Sequence, residues 1–338
     1  MIRYGILGFG LHAGRRLMPG FARARNSTVT ALYRRHLDDA RASAAHYKIP
    51  HAFDSAADLC RCPEVDAIFV ASPNNFHLEH VLLAIEAGKP VLCEKPMAMN
   101  GDECRRMVRA AHSAQVLLGV AHVFRFNRSV EKLREQIAAG RLGKPIFVRS
   151  EFSFPARTHA RKWLTDSKIS GGGPIADVGV HCVDALRWIL HDEIKGVSAI
   201  SISDPDSGDV EAAAVLSLEF ACGTLGSVQV STRADYRTPL EIVGESASAK
   251  AIDAFSVDNP VQITLRQGQA IEKETVSNAD AYARQIDAFS AAVEGQAIFP
   301  ISGEEGWRNQ QVLDAAFRSL KSGKFELVSA ATMQIKTS

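Results

Sequence analysis

Gly8-Phe9-Gly10-Leu11-His12-Ala13 follows an apolar run at residues 3–7 and opens a helical pattern. Those residue types at that spacing suit a dinucleotide pyrophosphate. Gly8 permits the tight turn, Gly10 lets the backbone approach the anion, and Ala13 stands where only a small side chain allows close helix–sheet packing. Helix N-terminal N–H groups then face the anion, so Gly8, Phe9, Gly10, Leu11 and His12 are candidate cofactor contacts. The next strand-like run ends Leu32-Tyr33-Arg34-Arg35, with no carboxylate before Asp38. An acid there would take the adenosine ribose 2′-OH of NAD. Two guanidiniums instead suit a 2′-phosphate, although a solvated pair at a helix entry is the plainer alternative. NADP is expected over NAD. Asp177 and His181 are four residues apart on a helical pattern and so share a face. Histidine is the usual base for a hydroxyl proton removed as a hydride leaves, and such an imidazole is expected to titrate near neutrality. With eleven histidines, chemistry alone does not select one. Asp177 can orient the imidazole, position substrate or stabilise the protonated ring; the plainer reading is a polar pair on a helix face. Lys95 follows the buried run at residues 91–93. At the carboxyl edge of a parallel sheet its ammonium can bond a substrate oxygen and stabilise a developing alkoxide; a surface lysine is the alternative.

These groups need a scaffold, and the chain predicts one in two parts. Residues 3–7, 29–33, 67–71, 91–93 and 116–120 read as strands buried on both faces, with helical patterns at 11–24, 37–46, 76–87 and 101–114 between them. That alternation predicts a parallel α/β sheet with right-handed crossovers. After residue 122 the pattern changes. A helix-like stretch at 129–139 and a strand at 146–154 precede a Gly171–Gly173 turn and a helix over 175–190. Strand-like runs follow at 197–203, 213–220, 224–232, 240–243 and 261–265, separated by turn residues, and helices at 282–294 and 304–322 close the chain. Consecutive strands with short turns predict a mostly antiparallel sheet. The expected organisation is a Rossmann domain over 1–122 and an α+β substrate-binding and oligomerisation domain over 123–338.

Composition limits the function classes. Lys+Arg is 39 against Asp+Glu 38, so the net charge is +1 and no basic face for nucleic acid is expected. No apolar run approaches the ~20 residues of a membrane span, and the first residues carry no secretory pattern. The six cysteines (60, 62, 93, 104, 182, 222) have no paired zinc spacing and read as reduced thiols of a cytoplasmic protein. His77 and His80 lack a third ligand, so no metal is expected. Asn74 suits a helix N-cap with His77 at the third helical position.

Four motifs in order carry a family resemblance: the glycine loop; Ala71-Ser72-Pro73-Asn74-Asn75-Phe76-His77; Ala87-Gly88-Lys89-Pro90-Val91-Leu92-Cys93-Glu94-Lys95-Pro96; and the run from Gly171 through Asp177 and His181 to Asp184. Together, and over nearly the whole chain, the sequence resembles the glucose-fructose oxidoreductase/inositol dehydrogenase/rhizopine-catabolism (Gfo/Idh/MocA) family. The resemblance implies NAD(P)-dependent oxidation or reduction of sugars, polyols and related cyclic compounds. It selects His181 as the base, Asp177 as its support and Lys95 as the second essential residue. It sets Ser72, Pro73, Asn74 and His77 against the ribose and nicotinamide half, and Glu94 near the nicotinamide ribose, with Pro96 fixing the turn. Arg125 is a candidate beside the substrate, with an interdomain salt bridge as the alternative. Trp163 and Asp184 are further pocket candidates. Arg34 stands where relatives often carry Asp, which favours NADP. A homodimer or homotetramer through the outer face of the second sheet is expected. Two rival readings are a glycosidase that oxidises its sugar transiently with bound NAD, and a non-catalytic NAD(P)-binding regulator.

Overall fold

A computed structural model describes residues 1–156 and 162–329. Six short strands, β1 (Ile2–Leu7), β2 (Ser27–Tyr33), β3 (His51–Phe53), β4 (Ala67–Val70), β5 (Val91–Cys93) and β6 (Leu118–Val120), form one sheet in the order β3-β2-β1-β4-β5-β6. Every pairing in it is parallel. β4 and β5 are buried along their whole length because helices cover both faces. The order reverses between β2 and β4 around β1, which opens a crevice at the carboxyl end of β1 where the glycine turn begins.

The second sheet has nine strands: β7 (Pro145–Ser153), β8 (Ile194–Ile202), β9 (Ala213–Phe220), β10 (Leu225–Ser231), β11 (Leu240–Gly244), β12 (Ser248–Ala251), β13 (Val261–Gln267), β14 (Ala270–Val276) and β15 (Glu326–Leu327), in the order β14-β13-β12-β11-β7-β10-β9-β8-β15. The β8–β10 and β11–β14 meanders meet on either side of β7. The β7–β10 pair is therefore parallel within an otherwise antiparallel sheet. One face carries Val148, Leu216, Leu218, Val228, Val230 and Ile242 into the core, under the helix Val180–Leu190.

Several elements differ from the sequence expectation. β3, β12, β14, β15 and the helix Ala56–Arg61 were not predicted. β14 reads Ala-Ile-Glu-Lys-Glu-Thr-Val and is exposed on both faces, so it has no apolar alternation to find. The helices expected over 11–24 and 175–190 each begin with a wide π turn, Ala13–Leu17 and Ile175–Gly179. Such turns are often found at functional sites, and both of these border the site. The last helices return to the first sheet. Tyr4 Oη lies 2.7 Å from Ser290 Oγ, and the Val120 N–H donates to the Ile301 carbonyl. The helix Gly303–Ser322 touches both sheets, with Ser319 Oγ accepting from the Ala199 N–H at 2.9 Å.

Candidate active site

The dinucleotide end is built on the β1 turn. Gly8 has φ +90°, and a Cβ there would fall 2.4 Å from Ser72 Cα; only glycine allows the two strand-end loops to touch. A Cβ on Gly10 would meet nothing closer than the Gly8 carbonyl at 4.0 Å, so the backbone faces open space. That space is a cleft of about 440 Å³ lined by Phe9, Gly10, Leu11, Gly14, Arg15, Arg34, Ser43 and Tyr47. Phe9 and Tyr47 pack with ring centroids 5.2 Å apart. The Arg34 guanidinium donates to Ser43 Oγ at 2.9 Å and lies 3.6 Å from the Asp39 carboxylate. Arg35 is exposed and does not line the cleft. An open glycine backbone above a cleft with two guanidiniums fits a dinucleotide.

Toward the other end, His12 Nε2 lies 2.9 Å from Glu94 Oε1, tying the β1 turn to the β5 loop. Burial works against the Glu94 charge, but His12 and Lys95 outweigh it and hold the carboxyl below its usual range. The next residue, Lys95, precedes a cis peptide bond to Pro96. Its ammonium donates to the Asp177 carbonyl at 2.7 Å and lies 3.3 Å from the Asp177 carboxylate. The i,i+4 spacing predicted Asp177 as partner of His181; these contacts tie it to Lys95 instead.

His181 is buried, and among the described residues its Nδ1 has no hydrogen-bond partner. Phe124 packs on its ring at 4.3 Å, Phe152 stacks at 6.2 Å, and His122 meets it edge-on at 6.4 Å. Burial first, then the Lys95 ammonium, pushes the imidazole well below the usual 6.5. The near-neutral titration expected from sequence thus moves down, because charge is costly among these rings.

The remaining candidates fall in two groups. The β4 loop is a brace. His77, fully buried, has Nδ1 2.9 Å from the Pro96 carbonyl and Nε2 2.9 Å from the Ser72 carbonyl. His80 Nδ1 lies 3.0 Å from Ser72 Oγ. Asn74 does not cap: residues Asn74–Phe76 form a 3-10 turn after Pro73, the α-helix starts at His77, and the Asn74 amide donates to the Ser170 carbonyl at 2.7 Å. The second group is Arg125 and Asp184. They face each other through a forked pair (2.7–3.1 Å), with Glu305 on Arg125 at 2.7 Å and side chains 2% and 3% exposed. Arg125 is thus held in a salt bridge, but with partners inside the expected 123–338 domain and not across the two domains as the alternative had it. Burial alone would raise the Asp184 carboxyl, but Arg125 holds it below the carboxylate range. The pair reaches the site through His122, whose Nδ1 is 3.8 Å from Asp184. Trp163 lies half-buried in the turn Lys162–Thr165.

Sequence reasoning passed over His122, Phe124, Phe152, Glu211 and the cleft residues Arg15, Ser43 and Tyr47. Glu211 accepts from the Gly173 and Ile175 N–H groups at 3.1 and 2.9 Å, holding the turn that carries Asp177. No local pattern marks it. Ser43 and Tyr47, four apart on the helix Leu37–Tyr47, carried a signal in their spacing.

Parallel strands reversing at β1, a glycine turn and a Lys–Asp–His group at the carboxyl edge place this fold among dinucleotide-dependent oxidoreductases. Comparison narrows the class. Residues 2–122 match the oxidoreductase family with NAD-binding Rossmann fold (GFO_IDH_MocA), and residues 130–250 match the GFO/IDH/MocA C-terminal domain. The chain belongs to this family. It is 31% identical to 1,5-anhydro-D-fructose reductase of Ensifer adhaerens over 90% of this chain and 92% of that protein. It is 30% identical to myo-inositol 2-dehydrogenase of Thermotoga maritima over 77% of each chain. The solved aldose-aldose oxidoreductase of Caulobacter crescentus shares the fold (TM-score 0.89, 23% identity, 96% of this chain and 99% of that one). Among the described residues no helix is long and apolar enough to cross a membrane.

Proposed function

We propose that the protein is an NADP(H)-preferring oxidoreductase of a sugar, polyol or related cyclic alcohol or ketone. The observation that carries this reading is the Lys95 ammonium anchored on Asp177, together with a buried His181 whose Nδ1 is unpartnered among the described residues. The bound nicotinamide supplies the hydride chemistry. In oxidation, His181 in its neutral form takes the hydroxyl proton. Lys95 hydrogen-bonds the same oxygen and stabilises the charge that develops on it. Asp177 aims the ammonium. Phe124 and Phe152 keep water from the imidazole. Glu94, held by His12, would face the nicotinamide ribose of a bound cofactor, and the Ser72, Pro73, Asn74 and His77 loop would brace that end. Relatives that act on anhydrofructose and inositol support the substrate class, and Arg34 in the cleft supports NADP. The test is a panel of sugars, polyols and their ketones with NADP and NAD, read by absorbance of the reduced nicotinamide. Net reduction with at least one panel member, faster with NADP, is expected. Substrate conversion without net reduction would replace this reading with the transient-oxidation glycosidase.

The open face of the second sheet supports assembly. On it Leu225 pairs with Phe147, and Phe147 with Val243; Ile200 pairs with Val215. Ile200, Leu225 and Phe147 are 72%, 50% and 42% exposed. A second copy covering this face would bury them. Light scattering at micromolar concentration is expected to give a dimer or tetramer, and Phe147→Lys with Leu225→Lys to give monomer.

A further inference from the structure

We infer that Arg15, not Arg35, is the second cationic arm for the 2′-phosphate of NADP, opposite Arg34. The inference rests on the NADP reading above. Sequence spacing favoured Arg35 because it adjoins Arg34 at the end of β2. Both residues lie beyond the end of β2 at Tyr33, where the chain bends at Arg35, and Arg35 is exposed outside the cleft while Arg34 lines it.

Arg15 comes to the cleft from the other wall, on the π turn Ala13–Leu17. Three features place it there. Arg16, the next residue, is committed to Asp258 by two hydrogen bonds of 2.7 and 2.9 Å on the far side of the turn. Gly14 offers no side chain, and a Cβ there would fall 2.6 Å from Tyr47 Oη; the Tyr47 ring therefore closes directly on the turn and floors the cleft beside Arg15. Arg15 itself is exposed and, among the described residues, has neither hydrogen bond nor ion pair, so its donors face the open cleft. Arg34 is tethered by Ser43 and by Asp39, whose carboxylate is 54% exposed and can turn to solvent.

Two guanidiniums then line one cleft, one from the residue after β2 and one from the π turn Ala13–Leu17, and Ser43, whose hydroxyl accepts from Arg34, lines it too. The cleft lining contains no carboxylate. A phosphomonoester with about −1.5 to −2 charges and three acceptor oxygens can accept from both arms. A neutral ribose 2′-OH can accept from an arginine but carries no charge to pair with it, so it gains less than the phosphate does. Arg15 is thus a specificity residue: it acts on the one group that separates the two cofactors.

Calorimetric titration of NADP, NAD and 2′,5′-ADP into the wild type, Arg15→Ala, Arg15→Lys, Arg34→Ala and Arg35→Ala tests this. Arg15→Ala is expected to weaken NADP and 2′,5′-ADP by about tenfold or more, the worth of a charge-assisted hydrogen bond, and NAD by less than about threefold; retained NAD binding shows the variant is folded. Arg15→Lys should recover part of the loss, and Arg35→Ala should stay within about threefold for all three. Equal losses for NAD and NADP in Arg15→Ala would assign the residue to the pyrophosphate and overturn the inference. So would a loss carried by Arg35→Ala instead. A wild type that binds NAD and NADP equally would overturn the NADP reading itself, a separate result from either.

Discussion

The two ends of the candidate site are built on opposite terms. In the cleft beside the glycine turn, Arg15 and Arg34 stand in or near solvent, the first without a partner among the described residues and the second on a short tether. At the chemical end, Lys95 and Asp177 have side chains 13% and 8% exposed and bond each other. His181 lies among aromatic rings, and behind His122 a forked Arg125–Asp184 pair is almost wholly buried. The open end can exchange one cofactor for another at little cost to the fold, since exposed charges contribute little to stability. The closed end couples chemistry to folding. There a lost partner leaves a buried charge uncompensated, which is strongly destabilising.

The largest expected effect lies at the closed end. His181→Ala should lower turnover by about 10²–10⁴-fold, the usual worth of a positioned general base, with NADP affinity nearly intact. Lys95→Ala should cost as much and also weaken cofactor binding, and the double variant should show losses that do not add, because both groups serve one oxygen. Steady-state kinetics with separate cofactor titration checks this; near-normal rates in His181→Ala would move the base elsewhere and erase the contrast between the ends.

Gly8→Ala comes next, and it strikes the boundary between the ends. The new Cβ meets Ser72 backbone at 2.4–2.5 Å with φ at +90°. A loss of about 1–3 kcal/mol from backbone strain alone is expected, together with weaker binding of both cofactors. Chemical denaturation and titration measure the two. A variant as stable as wild type would show that the loops part readily and that this end is softer than the contacts imply.

The smallest effects are those of pH. Burial depresses His181, and it holds His80 and His122 down to about 4. The unfolded chain binds protons on these rings first, near 6.5, so their stabilisation is complete above 6.5 and is lost as pH falls toward 4. Each pKa unit corresponds to about 1.4 kcal/mol. His122→Gln should flatten this acid limb in a denaturation series. For catalysis, a depressed His181 remains a base below the usual histidine range, so the acid limb of the oxidation rate should lie under 6.5. An acid limb at or above 6.5 would mean that the site is wetter than its aromatic wall indicates.

Much of the chemistry was legible because it is written in local motifs. The turn at Gly8 and Gly10 needs particular backbone freedom, and β4 and β5 need unbroken apolar runs; both leave marks in consecutive residues. The parallel and antiparallel sheets were readable from element alternation for the same reason. What had no mark was whatever depends on a distant neighbour. β14 is charged on both faces because it closes an edge. Glu211 meets the Gly173 turn only because β9 begins beneath it.

The sequence by itself therefore marked the Rossmann frame and the glycine turn, which follow from residue type and short-range spacing, and it singled out Lys95, Asp177 and His181 only through the family resemblance. Only the tertiary structure decided their pairing. It gave Asp177 to Lys95 rather than to His181 and closed Arg125 on Asp184. It turned Arg35 outward while a π turn brought Arg15 to the cleft, and it lowered the His181 imidazole by burying it. Hydrogen-bond partners and desolvation are properties of packed neighbours from separate strands and helices, and no stretch of chain contains them.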